Sequence, residues 1–260
     1  MSASGCSPGN PMDPTRFADL TYEGFRELAR DESLSPHEKV GFPDSYRAGK
    51  EQEILADIRA KLSNLELVGQ RVLDVGPGCG GVAQAVFALC REKGHALTLI
   101  DSAEMLALLP DEPFAAKRAG RFPEECAEYL AAHRGRLDAI LVYSVVQYVF
   151  RDGNLFAFFD ACLDLLAEGG QLLIGDIPNQ SMRKRFFSSA CGVRFHQEFT
   201  GTAEIPAVTH NILEPGHIDD AVLLGLVLRA RSAGYDAFLV PQDAGLPMAN
   251  RREDLLVRKS

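Results

Sequence analysis

Residues 71–81 read Arg71-Val-Leu-Asp74-Val-Gly76-Pro-Gly78-Cys-Gly80-Gly81. A short apolar run leads into an acid and then into four glycines within six residues. Val82, Ala85, Val86, Leu89 and Cys90 follow at helical spacing and predict a helix over 80–93. Strand, glycine loop and helix in that order build a site for a nucleotide-like ligand. Glycines lack Cβ, so the backbone can turn sharply and approach a ligand, and the N–H groups of the helix start aim at it.

Outward from this stretch, strands and helices alternate. Apolar runs predict strands at 71–75, 96–101, 115–119, 137–143 and 170–176, and helical periodicity predicts helices at 80–93, 103–109, 123–134 and 154–168. Gly94 and Gly135 mark helix ends, Pro123 a helix start and Asn154 an N-cap. The pattern is that of an α/β protein, a doubly wound, mostly parallel sheet with helices on both faces. A helix over 219–233 precedes two apolar runs, 235–240 and 255–258, with only a loop between them. Such a pair should close the sheet edge as an antiparallel hairpin.

Ahead of the sheet, residues 1–15 are rich in Ser, Gly and Pro and are expected to fray. A helix is expected over 15–31, a loop over 33–49, and a further helix that aligns Ile54, Ile58, Leu62 and Leu65. Residues 181–217 fit no regular unit. A connection above ~12–15 residues is generally functional or disordered. The expected organisation is a tail and lid over 1–49 and one domain over 50–260, with a cap insertion at 181–217.

The chain has 260 residues, 46% of them apolar and 24% charged, and a net charge of −9. That is ample for one sizeable core and argues against general nucleic-acid affinity, which needs a basic field. Six cysteines are widely spaced with no Cys-x-x-Cys pair, which fits reduced thiols rather than zinc. The first residues show no basic start with an apolar core, and no apolar run approaches the ~18 residues of a membrane helix. The expectation is a cytoplasmic protein without membrane partners. A small-molecule acceptor is the expected partner, and a homodimer is left open.

Residues 76–81 also satisfy Gly-x-Gly-x-x-Gly, a pattern shared with dinucleotide sites. Asp74 stands two residues before the first glycine, and Asp101 ends the next strand, where it can accept hydrogen bonds from both ribose hydroxyls. NAD sites carry the second acid too; the closing hairpin is not expected of a dinucleotide-binding sheet.

Together these features resemble the class I S-adenosylmethionine-dependent methyltransferases over about residues 50–258. The resemblance implies a Rossmann-like seven-stranded sheet, parallel except for its last strand, with the cofactor across the carboxyl ends of the first strands. It implies that Asp74, Gly76, Gly78 and Gly80 hold the methionine part. Asp101 would bind the ribose, Ser102 and Met105 would lie along ribose and adenine, and Gly120, Arg121 and Phe122 would contact adenine. Tyr143 and Ser144 would face the sulfonium and its methyl group. Many members carry Asp or Asn there, so Tyr-Ser leaves the catalytic assignment open.

A hydroxyl acceptor needs a general base within hydrogen-bond reach. Asp176, at the end of the fifth strand and expected to point to the cleft, His196 and His210 are the candidates; His37 fits a lid and His217 a structural role. No acid cluster has metal-site spacing. Arg183, Lys184 and Arg185 put three cations near the expected cleft rim, with Arg47, Arg251 and Arg252 as weaker candidates, which suggests an anionic acceptor. Phe186, Phe187, Phe195 and Phe199 are expected to close a small core in the cap.

The phrase Gly175-Asp-Ile-Pro-Asn-Gln-Ser-Met-Arg-Lys-Arg-Phe-Phe187, with Gly41-Phe-Pro-Asp-Ser-Tyr-Arg47, resembles methyltransferases encoded with bacterial surface-polysaccharide enzymes. That implies O-methylation of a sugar hydroxyl. Alternatives are N- or O-methylation of another small metabolite, an NAD(P)-dependent oxidoreductase, and a catalytically silent S-adenosylmethionine-binding protein.

Overall fold

The computed structural model describes residues 20–42 and 49–260. Seven strands form one sheet: β1 Arg71–Val75, β2 Ala96–Asp101, β3 Ala115–Ala119, β4 Leu137–Tyr143, β5 Leu166–Pro178, β6 Asp236–Pro241 and β7 Arg252–Arg258. Their order is β3-β2-β1-β4-β5-β7-β6. The first five pair in parallel, and β7 runs antiparallel to both β5 and β6. The expected edge hairpin is present, and its second strand is the inner one.

Period-two alternation along the strands splits the core into two layers. Leu73, Val75, Ile140, Val142, Leu172 and Ile174 pack with the helices Ala127–His133 (α6), Leu155–Leu165 (α8) and Asp220–Ser232 (α11). Val72, Leu97, Leu99, Ala139, Leu141 and Leu173 face the helices Glu51–Lys61 (α3) and Gly81–Lys93 (α4). Sequential strands with helices between them thus bury both sheet faces. Among the described residues no helix is long and apolar enough to cross a membrane.

Several expected boundaries move. The helix expected over 103–109 is a single turn, Ala103–Leu106 (α5), and the one expected over 123–134 starts only at Ala127. Leu62 and Leu65 lie beyond α3, around a short 3-10 turn at Ser63–Glu66. Residues 154–168 are helical only to Leu165, and β5 begins directly after. Asn154 does cap α8, accepting the Ala157 N–H at 3.0 Å. Among the described residues of the expected 15–31 helix, Tyr22–Arg30 (α1) is helical, and among those of the expected loop one turn of helix forms, Pro36–Lys39 (α2). Ser35 and Glu38 form a capping box around that turn.

The largest correction concerns residues 181–217. Their first half is two helices, Gln180–Phe187 (α9) and Ala190–Thr200 (α10). Asn179 caps α9 through the Met182 N–H, Ser189 caps α10 through the Gly192 N–H, and Gly201 ends α10 in the left-handed region. Gly192 explains the tight turn between them: a Cβ there would stand 2.0 Å from the Phe186 carbonyl oxygen. The basic run and the small residues Ser188–Gly192 break the apolar periodicity, which hides both helices from a hydrophobic pattern. Phe186, Phe187 and Phe195 meet with ring centroids 5.1–6.3 Å apart, and Phe199 stacks on Phe195 at 6.2 Å while staying 69% exposed.

Candidate active site

The carboxyl ends of β1, β2 and β4 and the loops after them line a cleft of about 1300 Å³, counting the part open to solvent. Topology places it there, because in open α/β sheets the loops diverge where successive crossovers leave on opposite faces. Tyr22 and Phe25 of α1, with His37, Val40 and Phe42 from the α2 segment, line its outer side. Ion pairs from Arg26 and Arg30 to Glu104 hold α1 against α5, and His37 Nε2 meets Glu51 Oε1 at 2.9 Å.

The glycine loop follows β1, with Gly76 at φ +68° and Gly78 at φ +63°. Asp101, at the end of β2, braces it: the Gly78 N–H donates to Asp101 Oδ2 at 3.0 Å, and the Ser102 N–H to Oδ1 at 2.6 Å. Each carboxylate oxygen keeps a further lone pair for a ligand hydroxyl. Asp74 also lines the cleft, 3% exposed, and no described residue hydrogen-bonds its carboxyl. Burial, reinforced by the charge of Asp101, pushes the Asp74 carboxyl up to about 8. Burial raises Asp101 to about 6, opposed by the two backbone N–H bonds.

Both acids bind protons more tightly in the folded chain than in the unfolded one, where a carboxyl titrates near ~4. Stability of the ligand-free protein therefore falls as pH rises from about 4 toward 8. Glu66 and Glu104, held down to about 2 by arginine partners, lose their contribution only below that window. We expect the urea midpoint to drop between pH 5.5 and 8, and Asp74→Asn to flatten the decline. An unchanged slope in that variant would remove Asp74 as its source.

At the ends of β4 and β5 two non-glycine residues sit in the left-handed region, Ser144 at φ +61° and Asp176 at φ +59°. Such conformations cost about 1–3 kcal/mol and persist where surrounding contacts enforce them. Here the Ser144 hydroxyl donates to Asp176 Oδ2, which also accepts Arg252 Nη1 at 2.6 Å. The Asp176 N–H donates to Asp254 Oδ1 at 2.8 Å, and the other Asp254 oxygen accepts Lys61 Nζ at 2.7 Å. Each of the two adjacent acids has its own cation, Arg252 for Asp176 and Lys61 for Asp254.

Of the residues singled out in the sequence, the cleft brings together Asp74, Gly76, Gly78, Gly80, Asp101, Met105, Gly120, Arg121, Phe122, Tyr143 and Ser144. Phe122 stands edge-on to Phe158 at 5.3 Å, and Arg121 donates to the Asp152 carbonyl at 2.9 Å. Ser102 is not among the lining residues: it is buried and its hydroxyl caps α5, accepting the Met105 N–H. Asp176 does not reach the cleft wall either; β5 turns it inward, and Ser144 stands between it and the cavity. His196 lies on α10 against Phe187, and His210 pairs with Ser188, both away from the cleft lining. Lys184 is tied to Glu214 and Arg185 to Asp220. Arg183 lines a neighbouring cavity. Arg47 lies outside the described residues.

The sequence pattern conceals one helix of the site, Val146–Asp152 (α7). Val145, Tyr148, Val149 and Asp152 all line the cleft and stand at i, i+3, i+4, i+7. That spacing is the signal that could have found it. It is masked by the apolar run of β4 just before it.

No family profile matches the chain. A curated relative, 3-hydroxy-5-methyl-1-naphthoate 3-O-methyltransferase of Streptomyces sahachiroi, is 26% identical over 137 residues. The match covers 52% of this chain and 39% of that protein, so the chain spans well under half of the curated relative. Among solved structures, the plantazolicin methyltransferase BpumL, in complex with a monoazolic desmethylPZN analog and SAH, superposes with a TM-score of 0.56 at 13% identity, covering 92% of this chain and 96% of that one. The N-methyltransferase NodS of Bradyrhizobium japonicum WM9, with S-adenosyl-L-homocysteine, gives 0.55 at 14% identity, covering 93% and 99%. The sheet order, the antiparallel closing strand and these likenesses establish that the chain has the fold of the class I S-adenosylmethionine-dependent methyltransferases.

Proposed function

We propose that this protein is an S-adenosylmethionine-dependent methyltransferase that methylates a hydroxyl of a small anionic acceptor. One observation carries the cofactor reading: the glycine loop at left-handed φ, braced by the Asp101 carboxylate, opens onto a cleft at the carboxyl ends of β1, β2 and β4. The residues present suit that cofactor. Asp101 offers acceptor lone pairs for a ribose diol, Phe122 and Met105 an apolar wall, and Asp74 and the loop a polar floor. When bound, S-adenosylmethionine supplies an activated methyl group that carries its own leaving group.

The protein's part is to align the acceptor, exclude water and take a proton. Tyr22, Phe25, Val40 and Tyr148 form an aromatic and aliphatic cover, so the 20–42 segment acts as a lid. Ser144 Oγ, held by Asp176 Oδ2, is placed to accept a proton from an acceptor hydroxyl while passing its own to the carboxylate. Asp176 then acts through Ser144. His196 and His210 are left as the alternatives, which a shift of the cap would have to bring in.

A sugar hydroxyl is the acceptor implied by the short motifs at 41–47 and 175–187. A second reading, an aromatic hydroxyl, is favoured by the rings of Phe42 and Tyr148 beside the cleft and by the aromatic hydroxy acid named for the curated relative. Calorimetric titration with S-adenosylmethionine, S-adenosylhomocysteine and NADH tests the cofactor. Micromolar binding of the two sulfur nucleotides and none of NADH is expected, and the reverse pattern would mean an oxidoreductase.

A further inference from the structure

Beside the cleft lies a second cavity that shares Phe42 and Tyr148 with it. The arginines on its walls are engaged: Arg252 with Asp176, Arg151 with Asp152, Arg251 with Asn250, and Arg183 over the Phe187 ring. The wall amides of Asn179 and Gln180 donate to carboxylates. Gln147 is the exception. Its amide nitrogen donates to the Ser144 carbonyl at 2.8 Å, while its Oε1 is buried and has no hydrogen-bond partner. A carbonyl only accepts, so the bond to Ser144 fixes which end of the amide is nitrogen and turns the oxygen away from that bond. Among the described residues of these walls, no other buried side-chain atom is orphaned.

A buried acceptor without a donor forfeits the hydrogen bonds it made to water in the unfolded chain, so native structures rarely keep one. With no exposure to bulk water, Oε1 can be paired only from the cavity that its side chain lines. Gln147 is also bonded directly to Ser144, which lines the neighbouring cleft. We infer that the second cavity receives the body of the acceptor, and that Gln147 Oε1 takes a hydrogen bond from a second hydroxyl on it, next to the hydroxyl to be methylated. This rests on the methyltransferase reading and names the acceptor class within it: a vicinal diol, on an aromatic ring or on a sugar, rather than an isolated hydroxyl. An ether oxygen at that place would set one acceptor against another. Discrimination is strong in such a site, because an analogue that lacks the donor leaves the buried group unpaired.

The test uses the full chain with fluorine NMR of two matched pairs, and SAH titrated into the same samples. The pairs are fluorocatechol against its mono-O-methyl ether, and para-fluorophenyl glucoside against its fully O-methylated form. In one pair the diol should bind at least ten-fold more tightly than the ether, and which pair it is tells ring from sugar. Gln147→Leu should weaken that diol ten-fold or more, with the ether, SAH affinity and melting curve unchanged. Gln147→Met, a second apolar variant, repeats the comparison if leucine lowers the melting curve. Equal binding within both pairs, no binding of any probe, or a preference that survives Gln147→Leu would overturn the site and leave Oε1 to a buried water. A diol preference without SAH binding would keep the site and remove the methyltransferase reading. SAH binding without a diol preference would do the reverse.

Discussion

Gly78→Val should abolish measurable S-adenosylmethionine binding, a loss of more than a hundred-fold, in a chain that still folds. Gly78 holds φ +63°, and a Cβ added there would stand 2.5 Å from Val40 Cγ1. A β-branched side chain is poorly tolerated at that φ, so the loop must leave its conformation or strain it by about 1–3 kcal/mol. Either way the Gly78 N–H is displaced from Asp101 Oδ2, and the brace between the first two strand ends opens. The sheet itself is unaffected, because Gly78 belongs to neither core layer. Gly78→Ala, smaller but facing the same contact, should fall between wild type and valine. Circular dichroism confirms folding and calorimetry reads affinity; wild-type affinity in a folded valine variant would remove this loop from the cofactor site.

Asp101→Ala should weaken S-adenosylmethionine roughly 10- to 150-fold, equivalent to the ~1.5–3 kcal/mol of a hydrogen bond to a charged group. The loss has two parts: the acceptor for the ligand hydroxyls, and the acceptor for the Gly78 and Ser102 N–H groups. Asp101→Asn keeps the shape of the side chain and removes its charge. It keeps one acceptor oxygen but presents an NH2 group to one of those N–H donors, so it should also bind weakly. Removing the charge at 101 has a second consequence. Part of what lifts Asp74 is the charge of Asp101, so in either variant the Asp74 carboxyl should titrate lower than about 8. The pH-dependent loss of stability should then move to lower pH. Unchanged affinity in Asp101→Ala would take this residue out of the site.

Much of the cofactor end is legible in the linear sequence. Strand, glycine loop and helix at 71–93 carry their fold in local chemistry, and Asp74 and Asp101 lie at the ends of strands whose apolar runs are unmistakable. Less legible are elements whose apolar pattern is broken or overlaid. The helices α9 and α10 hide behind a basic run and small residues, although their caps at Asn179, Ser189 and Gly201 are readable. The helix α7 hides behind the apolar run of β4, and with it the cleft wall of Tyr148 and Asp152.

The acceptor end shows the limit most clearly. Arg183, Lys184 and Arg185 are equivalent along the chain, since one charge differs from its neighbour only by what surrounds it. Folding brings Glu214 to Lys184, 30 residues on, and Asp220 to Arg185, and sets Arg183 over the Phe187 ring, on a cavity wall shared with Arg251 from far along the sequence. Asp176 is a similar case: a strand-end acid by sequence, turned inward by a left-handed backbone and joined to Ser144 and Arg252. Short-range pattern determined the sheet, its order of elements and the glycine loop, because periodicity and backbone freedom act within a few residues. Which partner each charge meets was decided only by contacts between distant segments, and those exist only in the folded chain.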